Sequence, residues 1–346
     1  DSPSRALTND GRYERLLDRI ALASIVQRLR NQSEVLSKGI SSMMARKSDI
    51  GSNTTALGIF ASVDQTGHQQ GLKQIFEEIE RLKCYLITEE ELVKQKALIQ
   101  AQIENAKKHD GDREFSRWVQ AMVETTLVDK PFLTQPEIAD LTEPMLKKIK
   151  VADVNARIQQ WLGEKDRIVQ YQPPRDTKVD ITAENVAILQ DEAMKAEITA
   201  PQKEKEIVPM SLGNVQAKGS ITDSQIFEAQ NVQHWTLSNG DKVVWLKSPL
   251  AKEKTYFQAE SSAGFKAKEL DDWQSQVALQ LIAQNAPLDW EPEQLKHWKD
   301  LNKVNLSMKQ TSTKSIFDGS VDNTKLVDFL RLFYAYQVET KVKEGL

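Results

Sequence analysis

Apolar residues recur along this chain with two different periods, and the switches between them mark out its elements. Between 12 and 30, Leu17, Ile20, Ala21 and Ile25 fall on one face at helical spacing, which predicts an amphipathic helix. Residues 40–64 read as strands: Met43 and Met44 lie in the first, and the apolar run 57–63 between turn residues makes the second. Leu72, Ile75, Phe76, Ile79 and Leu82 return to helical spacing, in a helix ending near Leu86. The next helix marks its own start. Thr88 with Glu91 three residues on is a capping box, and Glu89 and Glu90 suit the positive end of the helix dipole. Leu92, Ile99 and Ile103 carry its buried face, and Asp110-Gly111-Asp112 is expected to break it.

A further helix carries Phe115, Val119, Met122 and Val123. Pro131, Pro136 and Pro144 are expected to divide the following region into short pieces. Val154, Ile158, Trp161 and Leu162 predict one more helix, closed by Gly163 just past its end, and 168–171 reads as a strand stopped by Pro173-Pro174. From 172 to 226 only Tyr171 and Phe227 flank a stretch without aromatics, rich in Lys, Glu and Ala, with one helix around 183–196. Such a stretch cannot build a core of its own and is expected to be a linker lying against domain surfaces.

Beyond it, His234 to Leu246 holds Asn239-Gly240 between two β-rich runs, a hairpin pattern whose tight primed turn needs positive φ at both central residues. Strand 256–260 follows, ending at Gly264, then a helix with Trp273, Val277, Ala278, Leu281 and Ile282. Pro292 suits the first turn of another helix, which buries Leu295 and Trp298. Val304, Leu306 and Met308 alternate with polar neighbours as a half-buried strand, with 315–321 as its partner. Leu326, Phe329, Leu330 and Phe333 mark a last helix. The pattern is α+β: two domains, each a largely antiparallel sheet packed with helices, joined by a long linker. The expected bounds are 1–175, linker 176–230 and 231–346. The hairpin looks like the opening of a domain two thirds of the way along, so the chain is expected to be a piece of a longer protein.

The bulk numbers narrow the function classes. With 346 residues, 40% hydrophobic, 28% charged and a formal net charge of -4, the chain has enough apolar material for two cores and no basic block that would suit nucleic acid. No run approaches the roughly 18 apolar residues of a membrane span. Cys84 stands alone, so no internal disulfide can form. His68, His109, His234 and His297 are too far apart in sequence for H-E-x-x-H or H-x-x-E-H. His109-Asp110-Gly111-Asp112 lacks the length of a calcium loop. No nucleophile elbow and no phosphate-binding glycine spacing occurs. Met43 and Met44 read as strand packing, and the tryptophans of the C-terminal part read as core or as anchors for a peptide.

Several short motifs nevertheless stand in a telling order. Leu16-Leu17 and Gln27-Arg28-Leu29 lie on the first helix, 57–63 is the strand after it, and 67–80 is a helix ending in acidic residues. Ile87-Thr88-Glu89-Glu90-Glu91-Leu92 with Lys96 matches T-x-x-E-L-x-x-x-K, and Val151-Ala152-Asp153-Val154-Asn155 is close to T-x-x-D-V-N, with Val151 in place of the usual cap. Later come 236–243, an L-x-N-G-x-x-V hairpin; Ser261-Ser262-Ala263-Gly264; and Phe317-Asp318-Gly319-Ser320 before the helix 326–336. Together they resemble the pitrilysin/insulinase family of zinc metallopeptidases (the inverzincins), in particular the large bacterial periplasmic type with two tandem units in one chain.

The resemblance implies that 1–175 is the second domain of an N-terminal peptidase unit and 231–346 the first domain of a C-terminal unit. In an active unit the helix after 261–264 carries H-x-x-E-H; here 271–282 has no histidine, and Gln276 and Gln280 stand in it. The resemblance therefore assigns no catalytic, metal-binding or substrate-binding residue to this chain. It implies zinc in the full-length protein only, held by residues outside this chain. The implied partners are peptide or unfolded protein and the missing N-terminal catalytic and C-terminal domains, with the bacterial periplasm or cell envelope as the location. Two other readings stand beside it: a non-catalytic scaffold subunit of a peptidase heterodimer, and an unrelated peptide-binding module.

Overall fold

A computed structural model describes residues 8–50, 54–64, 67–108, 115–127, 132–164, 167–172, 181–204, 211–213, 218–266 and 271–339. Two compact units divide the chain, Asp1–Lys205 and Glu206–Leu346.

In the first unit, helix α1 (Asn9–Asn31) starts at Thr8, whose hydroxyl accepts from the Gly11 N–H at 3.1 Å. Ile20, Ala21, Ile25 and Leu29 are all sealed from water, because α1 is covered on more than one side. One side meets the antiparallel hairpin of β1 (Ile40–Ile50) and β2 (Thr54–Val63), paired from Ile40↔Val63 to Ile50↔Thr54. Alternation along β1 separates the two methionines: Met43 is buried, while Met44 points outward and is 56% exposed. Helix α2 (His68–Cys84) lies on β2. Helices α3 (Glu89–Lys108), α5 (Gln135–Lys148) and α6 (Val151–Gly163) enclose α1 from its other sides, and α4 (Phe115–Leu127) precedes α5 in the chain. The Thr88 capping box forms as expected, with Glu91 N–H donating to Thr88 Oγ1 at 3.3 Å and Thr88 N–H to Glu91 Oε2 at 2.8 Å.

Three local expectations are corrected. Pro136 and Pro144 do not fragment their region: both lie in the continuous helix α5. Pro136 occupies the first turn, where no N–H is needed, and a second capping box (Thr134 with Glu137) and the buried Ala139 and Leu146 hold the rest across Pro144. Gly163 is the last helical residue rather than a left-handed cap, since the next residue, Glu164, is already extended. Residues 168–171 are not a strand: no strand among the described residues pairs with them, and Ile168 is 89% exposed. The expected break at 109–112, Pro131 and Pro173-Pro174 lie outside the described residues.

The stretch 176–230 is divided between the units. Helix α7 (Ala183–Lys195) packs on α2 and buries Ala193, so the boundary between the units comes after Lys205. Within the second unit, β3 (Ile221–Phe227) already belongs to a sheet, bonded to β4 (Val232–Leu237), which pairs in turn with β5 (Lys242–Leu246). The hairpin is present, but its turn differs from the primed two-residue form. Among the described residues of this loop only Gly240 has a positive φ, +91°. The Gly240 N–H donates to Leu237 O at 2.9 Å, and the Leu237 N–H to Asp241 O at 2.8 Å. That is a three-residue loop with glycine in the left-handed position, the common alternative to the primed turn. Asn239 stays at ordinary φ because its side-chain oxygen accepts the Asp241 N–H, at 3.1 Å.

The rest of the second unit is a three-stranded antiparallel sheet with helices. Strand β6 (Lys254–Ser261) leads to α8 (Asp272–Gln284) and α9 (Pro292–Asn302). Then come β7 (Asn305–Gln310), β8 (Ser315–Asp322) and α10 (Leu326–Val338), with sheet order β6-β8-β7. The register puts Phe257 opposite Gly319 and Leu306 opposite Gly319 from the other side, so these residues share the inner face. Phe329, Leu332 and Tyr336 of α10 close the core over that face.

Candidate functional site

The motif residues of the first unit meet around one short segment, 85–91. Arg28 reaches out of α1 and donates to the carbonyl oxygens of Tyr85 and Leu86 (2.8 Å for Leu86) and to both carboxylate oxygens of Glu91, at 2.7 and 2.9 Å. Asn155 of α6 holds the same segment like a base pair: its amide oxygen accepts the Ile87 N–H at 2.8 Å and its amide nitrogen donates to Ile87 O at 3.0 Å. Lys96 donates to Ile149 O at 2.5 Å. Burial by itself would raise the Glu91 pKa, but the hydrogen bonds from Arg28 and Thr88 outweigh it and hold the carboxyl below its ordinary value. These groups are therefore spent on backbone and on each other. The constellation is a structural clamp between α1, α3 and α6.

A second charged cluster has the same character. Asp18 of α1 bridges Lys47 of β1 and Arg157 of α6, and Arg157 also binds Glu14. The Lys47 ammonium lies 5.4 Å from the centre of the Trp161 ring.

The histidines do not converge. His68 opens α2, where its Nδ1 shares a hydrogen bond of 2.9 Å with the Tyr171 hydroxyl. His234 is exposed on β4 against the Phe227 ring, 4.9 Å between centroids. His297 lies on α9, and His109 lies outside the described residues. Cys84 is exposed at the end of α2. Among the described residues no group of three His, Cys, Asp or Glu side chains could hold a metal ion. Helix α8, which follows Ser261-Ser262-Ala263-Gly264, turns Gln276 and Gln280 to solvent.

The tryptophans divide between two environments. Trp290 and Trp298 pack together in the core of the second unit, 6.0 Å apart. Trp235 and Trp245 stack across β4 and β5, 6.4 Å apart at 13°, on a sheet in which no residue is buried. Trp273 and Val277 stand exposed one turn apart on α8. The outermost strands, β3 and β5 in one sheet and β6 and β7 in the other, have one side each not paired within their sheet.

Burial shapes the titration of Tyr336 in the second unit. Burial pushes the Tyr336 hydroxyl up to about 12, while the Lys299 ammonium, 5.8 Å from its ring centre and bonded to Leu306 O at 2.9 Å, is lowered by burial. The neutral phenol is the form the fold favours. Its stabilisation is complete below the ordinary value of 10.0 and is lost as pH rises through about 12. An ultraviolet titration of the tyrosines should accordingly contain a late step near 12 that Tyr336→Phe removes; a titration curve unchanged by the substitution would contradict this burial.

No family model matches the sequence, and no curated protein matches it. Solved structures do. The chain is similar to the ferredoxin protease FusC, whose structure is of a mutant in complex with Arabidopsis ferredoxin, at 32% identity over 96% of this chain, with a TM-score of 0.65. Its structural neighbours are insulinase- and pitrilysin-type proteases. Two others are more distant: the periplasmic protease PqqL from Escherichia coli, at 17% identity over 98% of this chain and TM-score 0.48, and pitrilysin, at 15% over 95% and TM-score 0.44. The chain spans 37% of the length of FusC, 38% of PqqL and 35% of pitrilysin. Among the described residues no helix is long and apolar enough to cross a membrane.

Proposed function

We propose that this chain is a non-catalytic central portion of a zinc-dependent metalloendopeptidase and forms part of the chamber that receives peptide. The supporting observation is the likeness to FusC along nearly the whole chain, at 32% identity, in a chain whose described residues offer no metal-binding cluster. In this reading the zinc and the group that activates water come from other parts of the parent protein. The contribution of these two units is shape, apolar contact and strand edges for an extended substrate. The substrate is peptide or unfolded protein, and the location is the bacterial periplasm or cell envelope. FusC was crystallised with a protein, ferredoxin, which supports a protein-derived substrate here.

The purified chain should bind less than stoichiometric zinc and should not cleave casein or unstructured peptides. Metal analysis after gel filtration and a fluorogenic peptide assay, with and without chelator, check this. Hydrolysis that follows the pure protein and is abolished by chelator would overturn the proposal. The same geometry would serve a non-catalytic subunit of a two-chain peptidase. The coding sequence ahead of Asp1 separates the two readings, since H-x-x-E-H there supports the enzyme and its absence supports the scaffold.

A further inference from the structure

After α7, residues 196–204 run back over the first unit as a strap, and the surface that receives them is already built. Glu78 of α2 is almost wholly buried, and its Oε1 accepts from Gln32 and from Gln74, each at 3.1 Å. Its Oε2 accepts from Arg81 Nε at 3.1 Å, which aims the far end of the guanidinium outward. That end grips the strap: Arg81 donates to Thr199 O and, at 2.9 Å, to Thr199 Oγ1. On either side, the Tyr85 hydroxyl donates to Ile198 O at 3.0 Å, and Gln32 Oε1 accepts the Gln202 N–H at 3.3 Å. Lys94 pairs with Glu204 at 3.3 Å.

Two features set this contact apart from ordinary core packing. No residue of 196–204 is buried, and only Ile198 and Pro201 are even half-buried. In addition, the buried Glu78 takes its hydrogen bonds from Gln32, Gln74 and Arg81, none of them from the strap. When the strap lifts, Arg81, Tyr85 and Gln32 exchange their bonds to it for bonds to water, and Glu78 keeps its ion pair with Arg81.

We propose that residues 196–204 are a releasable latch, anchored by Arg81 and Tyr85, which sets the length of the connection between the two units. The first unit ends at Lys205, so release adds the strap to the connection. That is about nine residues, or up to about 30 Å of extended chain. The latch grips mainly backbone carbonyls, so it depends on the path of the strap more than on its side chains. It stands whether or not the parent protein is a peptidase.

Limited trypsin digestion of the full chain, followed by mass spectrometry, tests it. Cleavage after Lys195 and Lys203 should be slow in the unaltered protein. It should rise about tenfold in the double variant Tyr85→Phe/Thr199→Ala, which keeps the Glu78–Arg81 pair, with the melting temperature of the unit nearly unchanged. Arg81→Gln should release the strap further. If that variant unfolds the unit instead, the double variant alone decides. Small-angle X-ray scattering should show a larger maximum dimension for the double variant. Cleavage at the two lysines unaffected by the double variant, or already as fast in the unaltered protein as in an unfolded chain, would overturn the latch. Faster cleavage with no change in dimension would overturn its control of connection length.

Discussion

Phe329→Ala should lower the melting temperature of the second unit by about 10 °C or more and leave the first unit where it is. Phe329 is fully buried, and its ring stands edge-on to Phe257 at 5.1 Å. It also lies directly over Gly319, where a Cβ would come within 2.6 Å of the ring. A glycine in mid-strand is what lets an aromatic ring settle onto the sheet. Cutting the side chain to a methyl removes that contact from both sides, since Gly319 has no side chain that could relax into the cavity. Truncating a buried phenylalanine typically costs about 3–5 kcal/mol, against a total of about 5–15 kcal/mol for a whole domain, and each kcal/mol is worth a few degrees at this size. Differential scanning calorimetry should resolve two transitions, with only one displaced. Equal displacement of both would mean that the two cores do not melt separately. Gly319→Ala should not rescue the variant, because its Cβ would also lie 2.6 Å from Asn305 O.

The second large effect belongs to the clamp of the first unit. Arg28→Met should destabilise that unit by about 2–4 kcal/mol, because two carbonyls lose their donor and Glu91 keeps its charge without its partner. The lower part of that range is the better guide, since 32% of the Glu91 side chain remains in water. The pH dependence follows from the direction of the Glu91 shift. A carboxyl held below its ordinary 4.5 contributes stability that is complete above that value and is lost as pH falls through its lower, folded value. Urea unfolding at neutral pH should therefore show the full penalty, and the gap between variant and unaltered protein should narrow as pH falls below 4.5. A penalty that stays constant into acid would show that lost packing, not the ion pair, explains the effect.

Much of the architecture was legible because it is written in periodicity. The buried faces of α1, α3, α6 and α9 were indicated by apolar residues at helical spacing, and β7 by strict alternation, whereas α2 also buries Gln74, Glu78 and Arg81, and α10 buries Leu332 and Tyr336 and exposes Leu330. The failures have a common form. Pro144 reads as a break, yet α5 runs through it because a cap and two buried side chains outweigh one missing hydrogen bond. Residues 168–171 have strand-like composition, but a strand exists only where another chain segment supplies the ladder. At 239–240 the composition announced a hairpin correctly and its turn type wrongly, because Asn239 bonded its own backbone instead of turning left-handed.

The same contrast holds for function. The motifs that suggest a peptidase family are visible as words in the chain, and so is the lack of histidine in 271–282. What Arg28, Lys96 and Asn155 do was not visible, nor was the pairing of Arg28 with the capping Glu91. They lie far apart in sequence, and only the packing of α1, α3 and α6 brings Arg28, Glu91 and Asn155 onto one stretch of backbone. The strap was hidden for a similar reason. A polar, aromatic-free segment reads as linker, because its docking depends on a buried glutamate and arginine from α2, more than a hundred residues earlier. By itself the sequence determined most of the helices and strands, the apolar faces of the strongly periodic ones and the lack of histidine in 271–282, since these rest on local spacing and residue type. The tertiary structure alone decided which polar groups meet, because a hydrogen bond between distant segments is set by how the elements pack and leaves no period in the chain.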